Sequence, residues 1–209
     1  MYTLYYSPGA ASMVVHLALL EIGAPHELRL VDFAADAQHR PDYLRLNPQG
    51  IVPTLIIDGR ARSESAAILM MLAERHPQAQ LAPAPGTPER EAWLQWIVYL
   101  SNSLMSTYRL WFYPADLGTD EHESKVRKAL QKKIESAWDL LNSQLSDHGP
   151  YLLGANFSGA DLLLTMLMRW SRNMPRPATE WPALKTLADL VRARSSWKTL
   201  CELEALSDW

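Results

Sequence analysis

The segment "HPQAQLAPAPGTPER" at 76–90 constrains the fold most, because it separates two different arrangements of hydrophobic residues. Proline and glycine cluster here between two helical patterns, which is typical of a connection between domains. Strand-like and helix-like stretches alternate before the segment, whereas the chain after it is helical throughout. We therefore predict a first domain at 1–78, a linker at 79–87 and a second domain at 88–209.

The first domain is predicted to be a small sheet covered by helices. Its predicted elements, in chain order, are a strand at 2–6, a helix at 12–22, strands at 26–33 and 54–58, a short strand, and a helix at about 65–75. This order is a βαβ unit followed by a hairpin and a helix, which predicts an α/β domain.

The second domain is predicted to be all-helical. Apolar residues recur at three- and four-residue spacing from Trp93 to Trp111, which predicts one long apolar helix face. Farther on, "NFSGADLLL" begins another helix, with Ser158 as its cap and Asp161 three residues later. This is a variant of the capping box, in which each side chain accepts a hydrogen bond from the other residue's backbone. We interpret it as a folding element and not as a binding site.

Composition and charge argue against several classes of function. The 209 residues carry a net charge of −3, whereas a nucleic-acid-binding protein usually needs a basic surface. No apolar run reaches the roughly 18 residues of a membrane span, and the first residues do not resemble a signal peptide. The single cysteine, Cys201, suits a reducing compartment. We therefore expect a cytoplasmic protein without a nucleic-acid or membrane partner, and we identify no metal-binding pattern.

Two predicted helix starts in the first domain are candidate anion sites. The opening junction "YYSPGAAS" leads from a strand into a helix at Ser7–Ser12, and "RSESAAIL" places Glu64 and Ser65 at a second helix start. The first amide groups of a helix have no intrahelical partner, and together with the helix dipole they bind anions. Each start alone is more often a simple cap.

A third candidate stretch is "NPQGIVPTL" at 47–55, in which Val52-Pro53 precedes a strand-like run. Proline cannot donate to a sheet ladder, so we expect Pro53 at the first residue of the strand or in a turn. The bond before a proline is also the common place for a cis peptide. A cis bond here would turn the N–H and C=O of Val52 towards an extended, peptide-like ligand.

Taken together, these stretches resemble the cytosolic glutathione S-transferase family, most closely the bacterial beta class. The resemblance rests on "LYYSPGAAS", "YLRLNPQGIVPTL", "SESAAILMMLAE" and "FSGAD", and it extends over essentially the whole chain. It implies a thioredoxin-like N-terminal domain with a cis proline at Pro53, an all-α C-terminal domain, and a homodimer.

The resemblance also implies that glutathione is a co-substrate bound by the first domain. The implied glutathione-binding residues are Ala11, Gln49, Val52, Pro53, Glu64 and Ser65. The backbone of Val52 would pair with the cysteinyl part of glutathione. Glu64 and Ser65 would hold the amino and carboxylate groups of its γ-glutamyl part.

The sequence departs from the beta class at three positions. Ala11 takes the place of the class's cysteine, Asp36 that of a basic residue in the loop after the second strand, and Met105 that of a histidine in the helical domain. These changes remove groups that contact glutathione in that class. The group that activates the thiol must therefore be sought elsewhere in the opening junction.

A transferase needs glutathione as its thiolate, which donors at a helix start can stabilise. Ser12 is the best-placed hydroxyl, Tyr6 is a second candidate, Ser7 a third, and the backbone N–H groups of Ala11 and Ser12 can contribute without any side chain. The alternative for Ser12 is a plain helix cap. We interpret His16 as a buried helix residue and not as an acid or base.

The second substrate is predicted to be a small hydrophobic electrophile. It would contact Met105, Tyr108, Arg109 and Phe112, for which the alternative is a role in the core between the domains. We predict a glutathione transferase. Two alternatives remain open: a glutathione-dependent disulfide or peroxide reductase in which two glutathione molecules carry the redox chemistry, and a non-catalytic glutathione-binding or interaction protein on the same fold.

Overall fold

The computed structural model describes residues 1–207 and residue 209. Its strands are β1 (Tyr2–Tyr6), β2 (His26–Leu30), β3 (Thr54–Ile57) and β4 (Arg60–Arg62). Its α-helices are α1 (Met13–Ile22), α2 (Pro41–Leu44), α3 (Ser65–Arg75), α4 (Pro88–Val98), α5 (Ser106–Phe112), α6 (Ser124–His148), α7 (Gly159–Trp170), α8 (Pro182–Arg192) and α9 (Ser195–Leu203). Within the described part of the chain, no helix is both long and apolar enough to span a membrane.

The strands form one mixed sheet in the order β2-β1-β3-β4. β1 and β2 are parallel, whereas β3 pairs antiparallel with both β1 and β4. This confirms the predicted βαβ unit, hairpin and helix. The second strand is shorter than predicted, because the chain turns after Val31, where the Asp32 carboxylate accepts the N–H of Ala34 at 2.9 Å.

The chain divides into two compact units, Met1–Ala82 with Val191–Trp209 and Pro83–Leu190. In the first unit α1 packs against both α3 and α9. The chain therefore returns to its first unit at Val191, which no local pattern indicates. The domain boundaries predicted from the sequence differ from the limits of these two compact units. Those boundaries stay a prediction.

The second unit contains the predicted apolar face, and the seven residues that form it are buried: Trp93, Trp96, Ile97, Leu100, Leu104, Tyr108 and Trp111. The helix is not uniform, since Tyr99–Met105 forms a π-helical segment between α4 and α5. Trp96, Leu100, Leu104 and Tyr108 follow one another at four-residue steps. Four residues exceed the 3.6 of an α-helical turn, so wider π turns keep these side chains on one face.

Candidate glutathione site

The opening loop between β1 and α1 is braced by Ser12. This side chain is fully buried, and its Oγ accepts the N–H of Ser7 and donates to the carbonyl of Ser7, both at 3.2 Å. Ser12 does not cap α1 with its side chain. The Ser12 hydroxyl therefore donates its proton within the loop. A role for this hydroxyl in activating a thiol stays a prediction.

The amide groups at the same turn are differently placed. Met13 N–H donates to Ala10 C=O at 3.0 Å, but within residues 1–207 and 209 no protein acceptor is found for the N–H groups of Ala11 and Ser12. These two donors lie immediately before α1, at the positive end of its dipole. The turn can therefore hold an anion with its backbone alone.

The peptide bond between Val52 and Pro53 is cis, as the resemblance implies. Val52 is buried, and in the described part of the chain its N–H and C=O have no protein partner. The preceding carbonyl, that of Ile51, accepts hydrogen bonds from Tyr43 Oη and Asn47 Nδ2, both at 2.7 Å. These bonds fix the loop that presents the Val52 backbone. Another predicted residue of this loop, Gln49, is exposed.

Glu64 precedes α3 with a φ of +69°, a left-handed value that a non-glycine residue rarely adopts. The Glu64 side chain makes no capping bond to α3. The first amide groups of a helix have no intrahelical partner, so those of α3 can donate to a ligand. The hydroxyl of Ser65 is buried and donates to the Ala11 carbonyl at 2.9 Å. The start of α3 and the opening loop are therefore in direct contact.

The Val52 loop meets the opening loop as well. Val52 belongs to a buried cluster with Val31 and Tyr43, against which Tyr5 and Ala10 pack. The structure thus brings together all three stretches that the sequence singled out. Within the described part of the chain, two of them have backbone donors without a protein partner, and the third has both a donor and an acceptor without one.

The sequence did not reveal Glu204, which follows α9 and is buried. Its Oε2 accepts the N–H of Gly9 at 2.9 Å, and its Oε1 lies 2.7 Å from Nδ1 of His16. His16 is fully buried, which confirms its interpretation as a helix residue of the core. A carboxylate from the far end of the chain thus holds the opening loop, and no local motif around Glu204 indicates this.

Tyr6, the second predicted donor, is half-buried on β1 with its ring 6.3 Å from that of His16. Burial, and next the negative charge of Glu204, raise the pKa of Tyr6 above its ordinary value. The phenol therefore keeps its proton at neutral pH and remains a hydrogen-bond donor.

In the second unit, the predicted electrophile contacts fall into two groups. Met105 is half-buried and Phe112 is exposed. Tyr108 is fully buried and stacks on Phe112 at 5.7 Å, and burial raises its pKa. Arg109 donates to both carboxylate oxygens of Asp116, at 2.5 and 3.0 Å. Tyr108 is therefore a core residue of its unit, and Arg109 is already paired.

Two protein-family models match the chain. The model of the glutathione S-transferase N-terminal domain matches residues 10–75, and that of the C-terminal domain matches residues 124–193. Glutathione S-transferase GST-4.5 of Xanthomonas campestris is 33% identical over 98% of this chain and 99% of its own. The chain belongs to the glutathione S-transferase family.

Solved structures of glutathione S-transferases share the fold. The bacterial enzyme BphK, solved as a ternary complex, is 34% identical with a TM-score of 0.86, and the match covers 98% of this chain and 100% of the other. A sphingomonad enzyme complexed with glutathione is 28% identical with a TM-score of 0.85, over 98% and 100% of the two chains. The family's thioredoxin-like domain accounts for the mixed sheet, and its helical domain for the all-α part.

Proposed function

We propose that this protein is a glutathione transferase that adds the glutathione thiolate to an electrophilic carbon. The observation that carries the proposal is the meeting of the opening loop, the Val52 loop and the start of α3. Each has backbone groups that pair with no protein group among the described residues. A tripeptide that carries a thiol, two carboxylates and an ammonium group requires these kinds of partner. Membership in the family supports the same conclusion.

Each part of glutathione has a proposed partner. The Val52 N–H and C=O pair with the cysteinyl residue as in a short strand, next to Pro53. The amide groups at Ser65 bind the γ-glutamyl carboxylate, and the exposed Glu64 carboxylate binds its ammonium group. The Ser65 hydroxyl contributes indirectly, because its proton is donated to the Ala11 carbonyl.

The unpaired N–H groups of Ala11 and Ser12 are the proposed main donors to the thiolate. Stabilising the thiolate releases the thiol proton to solvent at neutral pH, and a sulfur electron pair then forms the bond to carbon. In a substitution the bond to the leaving group breaks and an anion departs, whereas in an addition the carbon π bond breaks and the resulting carbanion takes a proton from water. The phenol of Tyr6 is the proposed second donor. The Ser12 hydroxyl acts mainly by bracing the loop that carries the two amides.

The second substrate is proposed to be a small hydrophobic electrophile that contacts Phe112 and Met105, whose side chains keep exposed surface. We also propose a homodimer and a cytoplasmic location, both of which rest on the resemblance to the family. No group of three or more metal-ligating side chains occurs among the described residues, and the proposed reaction needs no metal ion.

Calorimetry with glutathione tests binding, and ultraviolet absorbance of the bound thiolate between pH 5 and 9 tests activation. We expect Ser12→Ala and Tyr6→Phe each to raise the pKa of the bound thiol by less than about one unit, because the amides remain. An increase of two or more units in either variant would identify that hydroxyl as the main donor. Turnover of chlorodinitrobenzene would support the transferase. Turnover of hydroxyethyl disulfide without turnover of chlorodinitrobenzene would support a reductase.

A further inference from the structure

Helix α9 is tied to the C-terminal end of α1 by a polar cluster of Glu21, Arg194 and Ser196, which we call the Glu21 clamp. Arg194, the N-cap residue of α9, donates from Nε and Nη2 to the two carboxylate oxygens of Glu21, both at 2.7 Å. The Ser196 hydroxyl donates to Oε1 of the same carboxylate. Two parallel bonds between a guanidinium and a carboxylate fix the relative orientation of both groups. The clamp therefore fixes where α9 begins relative to α1.

The carboxylate of the Glu21 clamp stays charged at neutral pH. Partial burial alone would raise the pKa of Glu21, but the hydrogen bonds from Arg194 and Ser196 and the charge of Arg194 outweigh this effect, so the pKa lies below its ordinary value. Only 11% of the Glu21 side chain and 34% of the Arg194 side chain are exposed. Salt and water therefore screen this pair less than a fully exposed ion pair.

The two ends of α9 contact opposite ends of α1. Beyond the last turn of α9, the Glu204 carboxylate accepts the N–H of Gly9 at 2.9 Å and lies 2.7 Å from Nδ1 of His16. The helical stretch from Ser196 to Glu204 covers about 12 Å, and α1 is about 15 Å long. Helix α9 thus runs antiparallel to α1 along most of its length, with a polar contact at each end.

The position of α9 along α1 depends on these polar contacts. The two helices pack against each other, and α9 buries Trp197 and Leu200. Apolar burial is not directional, so by itself it permits one helix to slide along another. A slide by one residue would move Glu204 by about 1.5 Å, which is enough to break its hydrogen bond to Gly9. A directional contact is therefore needed to hold Glu204 in place.

We propose that the Glu21 clamp positions the residues that stabilise the glutathione thiolate. The clamp fixes α9 so that Glu204 reaches Gly9, and Glu204 holds the loop that carries the N–H groups of Ala11 and Ser12. This inference rests on the proposed function, in which these two amides are the main donors to the thiolate. The three residues of the clamp are not among the proposed glutathione contacts, so they act on the sulfur only through Glu204.

The test compares Arg194→Gln with Lys198→Gln, which removes the same charge from an exposed position on α9. Ultraviolet absorbance of the bound thiolate measures the pKa of the thiol, and hydrogen exchange measures the protection of the Gly9 amide without any ligand. We expect Arg194→Gln to raise the thiol pKa by about 0.5 unit and to lower Gly9 protection about five-fold. Lys198→Gln should change neither quantity.

A double variant separates positioning from stability. When Glu204→Gln is already present, Arg194→Gln should cause no further rise in the thiol pKa, because the clamp acts through Glu204. Arg194→Lys keeps the charge and should recover part of the wild-type value. If Arg194→Gln does not fold, Ser196→Ala removes a single hydrogen bond and should raise the thiol pKa by a smaller amount.

An unchanged thiol pKa in folded Arg194→Gln overturns the proposal, and so does an equal shift in Lys198→Gln. The proposal is also overturned if the effects of Arg194→Gln and Glu204→Gln on the thiol pKa add. A wild-type protein that binds no glutathione refutes the proposed function instead, whereas loss of Gly9 protection in Arg194→Gln would still support the clamp. Thermal unfolding confirms that each variant is folded.

Discussion

A serine stands at the N-cap position of both α1 and α7, and these two serines, Ser12 and Ser158, make different contacts. At the start of α7, the Ser158 Oγ accepts the N–H of Ala160 at 3.2 Å, and Asp161 accepts the N–H of Ser158 at 2.8 Å. Asp161 also accepts the N–H of Leu152 at 2.8 Å. These partners lie within ten residues of one another, and the Ser158 and Asp161 side chains accept the N–H groups of Ala160, Ser158 and Leu152.

At the start of α1, the Ser12 Oγ bonds to Ser7 and makes no capping bond to its own helix. Among the described residues, the N–H groups of Ala11 and Ser12 have no protein acceptor. The loop is held from outside, by Ser65 of α3 and by Glu204 after α9. The difference shows that the residue type at a helix start does not identify a binding site. A helix start suits a ligand when distant groups fix it and its own amides stay open.

The largest expected effect is that of Glu204→Ala, which removes the remote support of the α1 start. It removes the carboxylate that lies 2.7 Å from Nδ1 of the buried His16 and that accepts the N–H of Gly9. Breaking such a buried pair typically destabilises a protein by about 3–5 kcal/mol. We expect the free energy of unfolding to fall by about 4 kcal/mol, and kcat/KM for glutathione to fall more than ten-fold.

Denaturant unfolding and steady-state kinetics measure the two effects. Glu202→Ala, on an exposed residue of the same helix, is the matched control and should change stability by less than about 0.5 kcal/mol. If Glu204→Ala does not fold, Glu204→Gln provides a milder change. Full activity in a folded Glu204 variant would contradict remote support of the opening loop.

The next largest effect is expected for Asp161→Ala at the start of α7. This variant should lower the free energy of unfolding and leave glutathione binding unchanged. The variant leaves two N–H groups, those of Leu152 and Ser158, without an acceptor, at an expected cost of about 3 kcal/mol. The glutathione Kd of the folded variant should not change. Glu89→Ala, an exposed acidic residue in the first turn of α4, is the control. A weakened glutathione affinity in the folded variant would remove the contrast between the two helix starts.

The same variant has a defined pH dependence. Burial raises the pKa of Asp161 to about 6, although three hydrogen bonds from Leu152 and Ser158 lower it. Because an unfolded aspartate has a pKa near 4, the folded protein holds this proton more tightly. The contribution of the protonated Asp161 carboxyl group to stability is therefore complete below pH 4 and is lost as the pH rises through 6. The loss of stability in Asp161→Ala should be larger at pH 4 than at pH 7.

The two helix starts also differ in how well the sequence predicts them. The capping box of Ser158 and Asp161 is local, and both of its hydrogen bonds are confirmed. The three stretches of the proposed glutathione site are local motifs too, and their meeting could be expected from the βαβ order. Glu204 could not be found in this way, because it acts on Gly9, which is 195 residues away in the chain. The direction of the Ser12 hydroxyl was unpredictable for a similar reason, since a cap and a loop brace use the same residue type.

The smallest expected effect is that of Ser65→Ala. This variant removes the contact of Ser65 with the opening loop and keeps that of Glu204, so the two contributions can be told apart. Its hydroxyl makes one hydrogen bond, to the Ala11 carbonyl, so its loss should reduce stability by only about 1 kcal/mol. The glutathione Kd should rise about five-fold, because the start of α3 and the Ala11 turn no longer hold a fixed spacing. Ser63→Ala, two residues earlier, is the matched control in the same calorimetric titration. An unchanged Kd in Ser65→Ala would mean that Glu204 alone fixes the loop and that the α3 contact serves stability, as the capping box does at α7.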